Sequence, residues 1–444
     1  MRPQATITFD QCLPLLVRAV RESEPSVDFA NLRVVRDMHG RLYLMVPDDW
    51  LDSVVDSLKE KLRNLLGHYS PGANGVARYR DTLAGEALFQ EPVLVYWVDG
   101  VNVHLIERRA MGQDWALQPE ALQQLHPPRF VFHSLKGGVG RSTAMMLWGR
   151  ELVRQGRTVL LVDLDLEAPG LGTHMLEPDH RPSYGVLDWL VEDLVGNAPA
   201  QMSNEMVAQS TLASSPGLWV APALGKCAFD NPENVMAKLA RGYLEGENGL
   251  GFAARLRHML EALEAHVKPD VVLIDSRAGL HETVAANLLH LNAEVFLFAV
   301  DVPATWEGYR YLLSHLAQLA RVRGEVSPQE VDWRERFHMV QARASMRDED
   351  KRRFASRSFS VWVDTLYDEL PPADWVGATS AFTFDELDAD APHWPLSILR
   401  SDHFEALDPM VQLASIGESA IREAFGELFS GLNHYLALAE ADIL

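Results

Sequence analysis

The sequence predicts an α/β protein: a doubly wound, mostly parallel sheet over residues 127–444, preceded by an α+β domain over residues 1–126. Three observations carry the prediction. From residue 129 short apolar runs alternate with helical stretches, the pattern of strands covered on both faces by crossover helices. The first run, Arg129–Ser134, leads through a glycine-rich turn straight into a helix start. Before Pro127-Pro128, a natural boundary, the chain instead shows helices and short strands separated by turn signals.

In the first domain, Phe9–Glu22 carries Cys12, Leu15, Leu16 and Ala19 at helical spacing. Leu32–Val46 reads as two short strands around Asp37-Met-His-Gly40, a hairpin signal. Trp50–Leu66 puts Leu51, Val54, Val55, Leu58, Leu62 and Leu65 on one helical face. Ser70–Gly75 is a loop by composition. Val93–Trp97 and Val101–Ile106 form a second hairpin across Asp99-Gly100. No catalytic motif falls here, and a docking or regulatory role is expected.

In the larger domain the strand Arg129–Ser134 feeds the helix Ser142–Gln155, ended by Gly156. Further strands are predicted at Thr158–Leu164, Gly217–Pro222, Asp270–Asp275, Ala293–Val300, Arg336–Gln341 and Leu396–Leu399. Helices are predicted at Phe252–His266 and Trp306–Arg323, with a closing helix at Ser415–Leu438.

Composition narrows the function classes. Hydrophobic residues make up 47% and charged residues 23%, which suits a globular core. No run approaches the roughly 18 apolar residues of a membrane span. Met1–Thr8 lacks the apolar run of a secretion signal, and Cys12 and Cys227 are far apart, so a cytoplasmic, reducing setting is expected. The net charge is −22, and from Trp362 onward the only Lys or Arg residues are Arg400 and Arg422. A field of that sign repels nucleic acid and anionic lipid unless a local basic patch offsets it. The densest cluster, Arg347, Lys351-Arg-Arg353 and Arg357, is expected as a solvated helix face, with nucleic-acid contact the minority alternative. The closing helix carries Glu423, Glu427 and Glu440 where a membrane-surface helix would carry Lys or Arg.

The chemistry concentrates in Leu135-Lys-Gly-Gly-Val-Gly-Arg-Ser-Thr143. Gly137, Gly138 and Gly140 allow the backbone N–H groups of this turn to converge on phosphate, and the helix start favours an anion. Against the pattern G-x-x-x-x-G-K-[ST], Leu135 stands at the first glycine and Arg141 at the lysine. Arginine keeps the charge and can grip phosphate bidentately, but it differs in bulk and shape, so binding without hydrolysis stays an alternative. Val162-Asp-Leu-Asp-Leu-Glu-Ala-Pro-Gly170 and Ile274-Asp-Ser-Arg-Ala-Gly-Leu280 each end an apolar strand. Carboxylates at the carboxyl ends of neighbouring parallel strands share the crevice where such sheets bind ligands.

The run Lys136-Gly-Gly-Val-Gly-Arg-Ser-Thr143 resembles the deviant phosphate loop of the ParA/MinD family of P-loop ATPases. The two aspartate motifs resemble that family's switches, in the family's order. The resemblance covers about residues 129–300 and does not reach 1–126. It implies ATP and Mg²⁺ as cofactors and a homodimer closed around sandwiched ATP, with Lys136 entering the partner subunit's site. It implies a phosphate cradle of Gly137, Gly138, Val139, Gly140, Arg141, Ser142 and Thr143. Ser142 would ligate the metal, with Asp163 and Asp275 on its outer side, and Asp165 would orient the attacking water. Lys136, Asp165 and Arg141 form the implied catalytic set, Gly279 the γ-phosphate sensor, and Gln341 and Asp402 the candidates for base recognition.

The function so implied is a dimeric switch with weak ATPase activity that regulates or positions a protein partner. The motif wording also resembles a bacterial subgroup of the family, which implies a signalling or defence module. A non-hydrolysing nucleotide-binding scaffold is the alternative, and a DNA-partitioning ATPase, disfavoured by charge, a second. Glu167 is expected as a solvated switch residue. Arg277 is expected either to stabilise γ-phosphate or to pair with a nearby carboxylate.

Overall fold

Two sheets organise the computed structural model, which describes residues 7–83, 85–109, 112–119, 126–198, 200–213, 216–246, 249–321, 332–369, 381–405 and 407–441. The chain divides into one compact unit of Met1–Gln118 with His315–Glu325 and another of Pro119–Ser314 with Val326–Leu444.

The smaller unit contains α1 (Phe9–Ser23), β1 (Arg33–Arg36), β2 (Leu42–Val46), α2 (Asp52–Leu66), β3 (Val76–Arg78), β4 (Leu94–Val98) and β5 (Val101–Glu107), with sheet order β3-β2-β1-β5-β4. Both expected hairpins form, β1 with β2 and β4 with β5. β1 and β5 pair in parallel and join the hairpins into one sheet. Leu13, Leu16, Val17 and Val20 of α1 and Val55, Leu58 and Leu62 of α2 share one core with Val34, Leu42, Leu44 and Leu105 of the sheet. Leu51, expected on the buried face of α2, is exposed, because it is the residue that caps the helix rather than one inside it. β3 was not legible in the sequence: at three residues it is too short to show a period of two.

The larger unit contains β6 (Arg129–Ser134), α3 (Arg141–Arg154), β7 (Val159–Leu164), β8 (Ala208–Gln209), β9 (Leu218–Ala221), β10 (Val271–Ser276), β11 (Glu294–Ala299), β12 (Phe337–Ala344) and β13 (Leu396–Leu399). The order is β13-β12-β11-β6-β10-β7-β9-β8, parallel throughout except for the two-residue edge strand β8. Every residue of β6, β7 and β10 is buried, so these central strands read as continuous apolar runs. Both faces are covered. On one face, Phe130, Phe132, Phe296 and Phe298 pack with Trp148 of α3 and with Phe425, Leu428 and Leu432 of the closing helix. That helix spans Glu418–Ala441, as long as expected but shifted three residues toward the C-terminus. The expected helix Trp306–Arg323 is found over Pro303–Ala320, and its last two expected residues lie outside the described ones.

From β6 the chain first builds β7 and β9 on one side, then inserts β10 beside β6, then lays β11, β12 and β13 on the other side. The winding reverses at β6, so a crevice opens above the carboxyl ends of β6, β10 and β7. The glycine turn and both aspartate motifs lie at those ends. Among the described residues, no helix is long and apolar enough to cross a membrane.

Candidate nucleotide site

The turn after β6 takes the shape its glycines permit. Gly138 has φ 72° and Gly140 φ 90°, in the left-handed region that side chains disfavour, and Gly140 caps α3. A Cβ on Gly137, Gly138 or Gly140 would meet nothing within 4 Å, so the turn is open on its outer side. Val139 is buried and anchors the turn in the core. Ser142 and Thr143 open the first turn of α3, where unpaired N–H groups and the helix dipole favour an anion. Lys136 is exposed; its carbonyl accepts from Ser134 Oγ at 2.9 Å, and its side chain has no hydrogen-bond or ion-pair partner among the described residues.

Strand register brings the aspartates together. β10 and β7 pair so that Asp275 sits directly opposite Asp163. Asp163 is fully buried and accepts the backbone N–H groups of Asp165, Gly170 and Leu171, each at 3.1 Å. Burial, reinforced by the negative charge of Asp275, pushes its pKa up to about 7, against the pull of those three N–H groups. Burial also raises Asp165, while Arg141 works in the opposite direction.

Arg141 turns its guanidinium inward. Nε donates to Asp275 Oδ1 at 2.6 Å, Nη1 to Ser134 Oγ at 3.2 Å, and Nη2 to Asp165 Oδ2 at 3.3 Å. The side chain is buried and bridges the two aspartate motifs. Burial, reinforced by the Arg141 charge, drives the neighbouring His133 down to about 3, so that ring is neutral. Ser142 Oγ donates to Asp275 Oδ2 at 2.5 Å. This hydroxyl–carboxylate pair is hard-oxygen chemistry that suits magnesium. Among the described residues no group of three or more His, Cys, Asp or Glu could hold a metal by itself. A magnesium ion here would therefore complete its shell with phosphate and water.

The second aspartate motif closes over the first. Gly279 has φ 88°, and its N–H donates to the Ser134 carbonyl at 2.9 Å. Glu167 is exposed, as expected, but it is not without partners. It pairs with Arg277, accepts from the Tyr243 hydroxyl at 3.2 Å, and lies 3.7 Å from His281 Nε2. Of the two readings of Arg277, this structure displays the carboxylate pair. Gln341 lies near the carboxyl end of β12, buried, with Oε1 unpartnered. Asp402 is exposed at the start of the single helical turn after β13.

Three features escaped sequence reasoning. A small pocket of about 10 Å³ lies beside α3, lined by Thr143, Met146, Leu147, Arg150, Leu212, Leu407, Pro409 and Leu413. Tyr243 reaches the first switch from 76 residues away. Arg343, at a bulge in β12, donates to the Gly138 carbonyl at 2.7 Å. A Pro-x-x-x-Leu spacing gives no hint of a pocket, and no pattern of residue types marks a bulge.

The basic cluster belongs to the helix Asp348–Thr365. Lys351 pairs with Glu427, Arg353 with Asp350 and Asp301, and Arg357 with Asp301, so carboxylates already oppose most of its charge.

A glycine turn between a central parallel strand and a helix, with aspartates on the neighbouring strand ends, defines a P-loop fold of the doubly wound class. Over 198 residues the chain is 30% identical to the chromosome partitioning protein ParA of Caulobacter vibrioides, covering 44% of this chain and 62% of the relative. The resemblance to ParA/MinD ATPases read from the motifs therefore holds along an extended alignment, although the chain matches less than two thirds of that relative's length. No family model matches the chain. Similar solved structures include the ATP complex of a Cyanothece McdA variant, with TM-score 0.42, 16% identity, and coverage of 71% of this chain and 98% of that one. The cell division ATPase MinD of Pyrococcus furiosus aligns with TM-score 0.40, 18% identity, and coverage of 69% of this chain and 99% of that one. The strand order described above, rather than these alignments, carries the fold.

Proposed function

We propose that this protein is an ATP- and Mg²⁺-dependent dimeric switch with weak ATPase activity, whose output is a changed surface offered to a protein partner. The observation that carries the reading is the in-register pair Asp275–Asp163, brought with Asp165 and Ser142 to the mouth of the glycine turn. Phosphates lie against the N–H groups of residues 137–143. Magnesium would be held by Ser142, with Asp163 and Asp275 outside, and would supply charge neutralisation at the β- and γ-phosphates. Asp165 orients the attacking water, and Lys136, exposed and unpaired, is placed to serve the partner subunit's nucleotide. Gln341 and Asp402 are the candidates for base recognition. Residues 1–126 dock the partner or regulate the switch, within a bacterial signalling or defence module.

Slow turnover follows from Arg141. Asp165 has one oxygen on Arg141 and the other on the Ala168 N–H, so Arg141 competes with water for this carboxylate until its guanidinium moves toward the phosphates. The same observation favours the second reading, a scaffold that binds nucleotide and never hydrolyses it. A DNA-partitioning role, suggested by the name of the curated relative, is opposed by the net charge of −22 and the paired cations of Asp348–Thr365.

Phosphate release measured with wild type and Asp165→Ala decides between these. The switch predicts slow release that the substitution abolishes. Release that survives it contradicts the proposed water-orienting role, and nucleotide binding with no release at all establishes the scaffold.

A further inference from the structure

Arg343 combines a strained backbone with a bond to the phosphate loop. Its φ is 56°, left-handed, one of four non-glycine residues with positive φ among those described. Such a backbone costs a long side chain free energy, and it persists where the surroundings enforce it, often at functional sites. The strain sits at a break in strand register: β12 pairs with β13 normally through Gln341, then resumes out of step at Ala344. A bulge of this kind re-aims a side chain. Here it turns Arg343 away from the sheet and over the crevice, where Nη2 donates to the Gly138 carbonyl at 2.7 Å. Arg343 is exposed and takes no part in the sheet's core, so packing does not account for its conformation.

The bonded carbonyl belongs to the turn whose N–H groups would face an anion. Gly138 has φ 72° and a Cβ there would touch nothing, so beyond the buried Val139 no side-chain packing holds the turn. A glycine-rich loop pays a large conformational entropy when it is ordered on a ligand. A bond that fixes one of its carbonyls outward orders it beforehand.

We infer that Arg343 is a positioning residue of the nucleotide site: by bonding the Gly138 carbonyl it holds the loop at 137–140 in the anion-ready conformation before ligand arrives. This deepens the reading of the loop as a phosphate site and rests on it. Arg343 acts through the loop, not on the nucleotide.

The strain makes the test sharp. Arg343→Gly removes the side chain but suits the positive φ, so it should leave the melting temperature unchanged or raise it. A residue whose role is only structural would lower it. In the nucleotide-free protein, amide hydrogen exchange at residues 136–141 should rise at least about fivefold in Arg343→Gly, with the strands β6 and β10 unaffected. Affinity for a fluorescent ATP analogue should fall by about five- to tenfold, the loss of one charge-assisted hydrogen bond. Arg343→Lys keeps a donor and should recover part of both effects. Unchanged exchange overturns the inference, as does a variant that loses stability and affinity together. Exchange that rises while wild type binds no ATP upholds the loop-holding role of Arg343 and overturns the phosphate-site reading instead.

Discussion

Replacing Arg141 with methionine removes its guanidinium and keeps much of its length. Asp275 then loses a partner at 2.6 Å and Asp165 one at 3.3 Å, in a site where Arg141 is 8% and Asp275 3% exposed. Breaking a buried ion pair from one side leaves an uncompensated charge and costs about 3–5 kcal/mol. That is roughly two to four powers of ten in the folded-to-unfolded ratio. The same substitution at an exposed pair costs about 1 kcal/mol or less. Native-state hydrogen exchange at β6 and β10 amides reads the loss in the larger unit alone. Adding Asp275→Asn neutralises the stranded carboxylate, so the double variant should regain at least about half of the loss. A single variant that loses under about 1 kcal/mol, or a double variant no more stable than the single, refutes the buried counter-charge.

Two further outcomes follow from the same geometry. Asp163, raised to about 7, holds a proton in the folded chain that the unfolded chain releases near its ordinary carboxylate value. Its contribution is complete below about pH 4 and lost as pH rises through about 7. The stability of Asp163→Asn relative to wild type should therefore climb between about pH 4 and 7 and level off above, by at most about 1.4 kcal/mol per pH unit, in urea titrations; a flat difference contradicts the shift. A Cβ on Gly185 would come within 2.5 Å of the Ala223 carbonyl oxygen, a backbone atom that cannot rotate away. Gly185→Ala should cost about 2–4 kcal/mol by thermal unfolding, and a melting temperature equal to wild type would show that the backbone yields there.

The central strands were legible because burial on both faces leaves nothing to alternate. Arg129–Ser134, Val159–Leu164 and Val271–Ser276 stand out as unbroken apolar runs. The edge strands Val76–Arg78 and Ala208–Gln209 were not, since neither is long enough to show a pattern. At the site, residue types and their order announced the loop and both aspartate motifs. Sequence does not contain the register that sets Asp275 opposite Asp163. Nor does it contain the choice of Arg141 between phosphates and carboxylates, which depends on side-chain conformation. The partners of Glu167 were not legible, because Tyr243 and Arg277 are distant in sequence and meet it only through the fold.

The proposed function turns on nucleotide joining two copies of the chain. Multi-angle light scattering of wild type and Lys136→Ala, each with and without ATP and Mg²⁺, addresses it directly. Wild type should move from monomer to dimer on adding ATP, while Lys136→Ala binds ATP and remains monomeric. Equal dimerisation of both proteins, or a wild-type mass that ignores ATP, would contradict the switch.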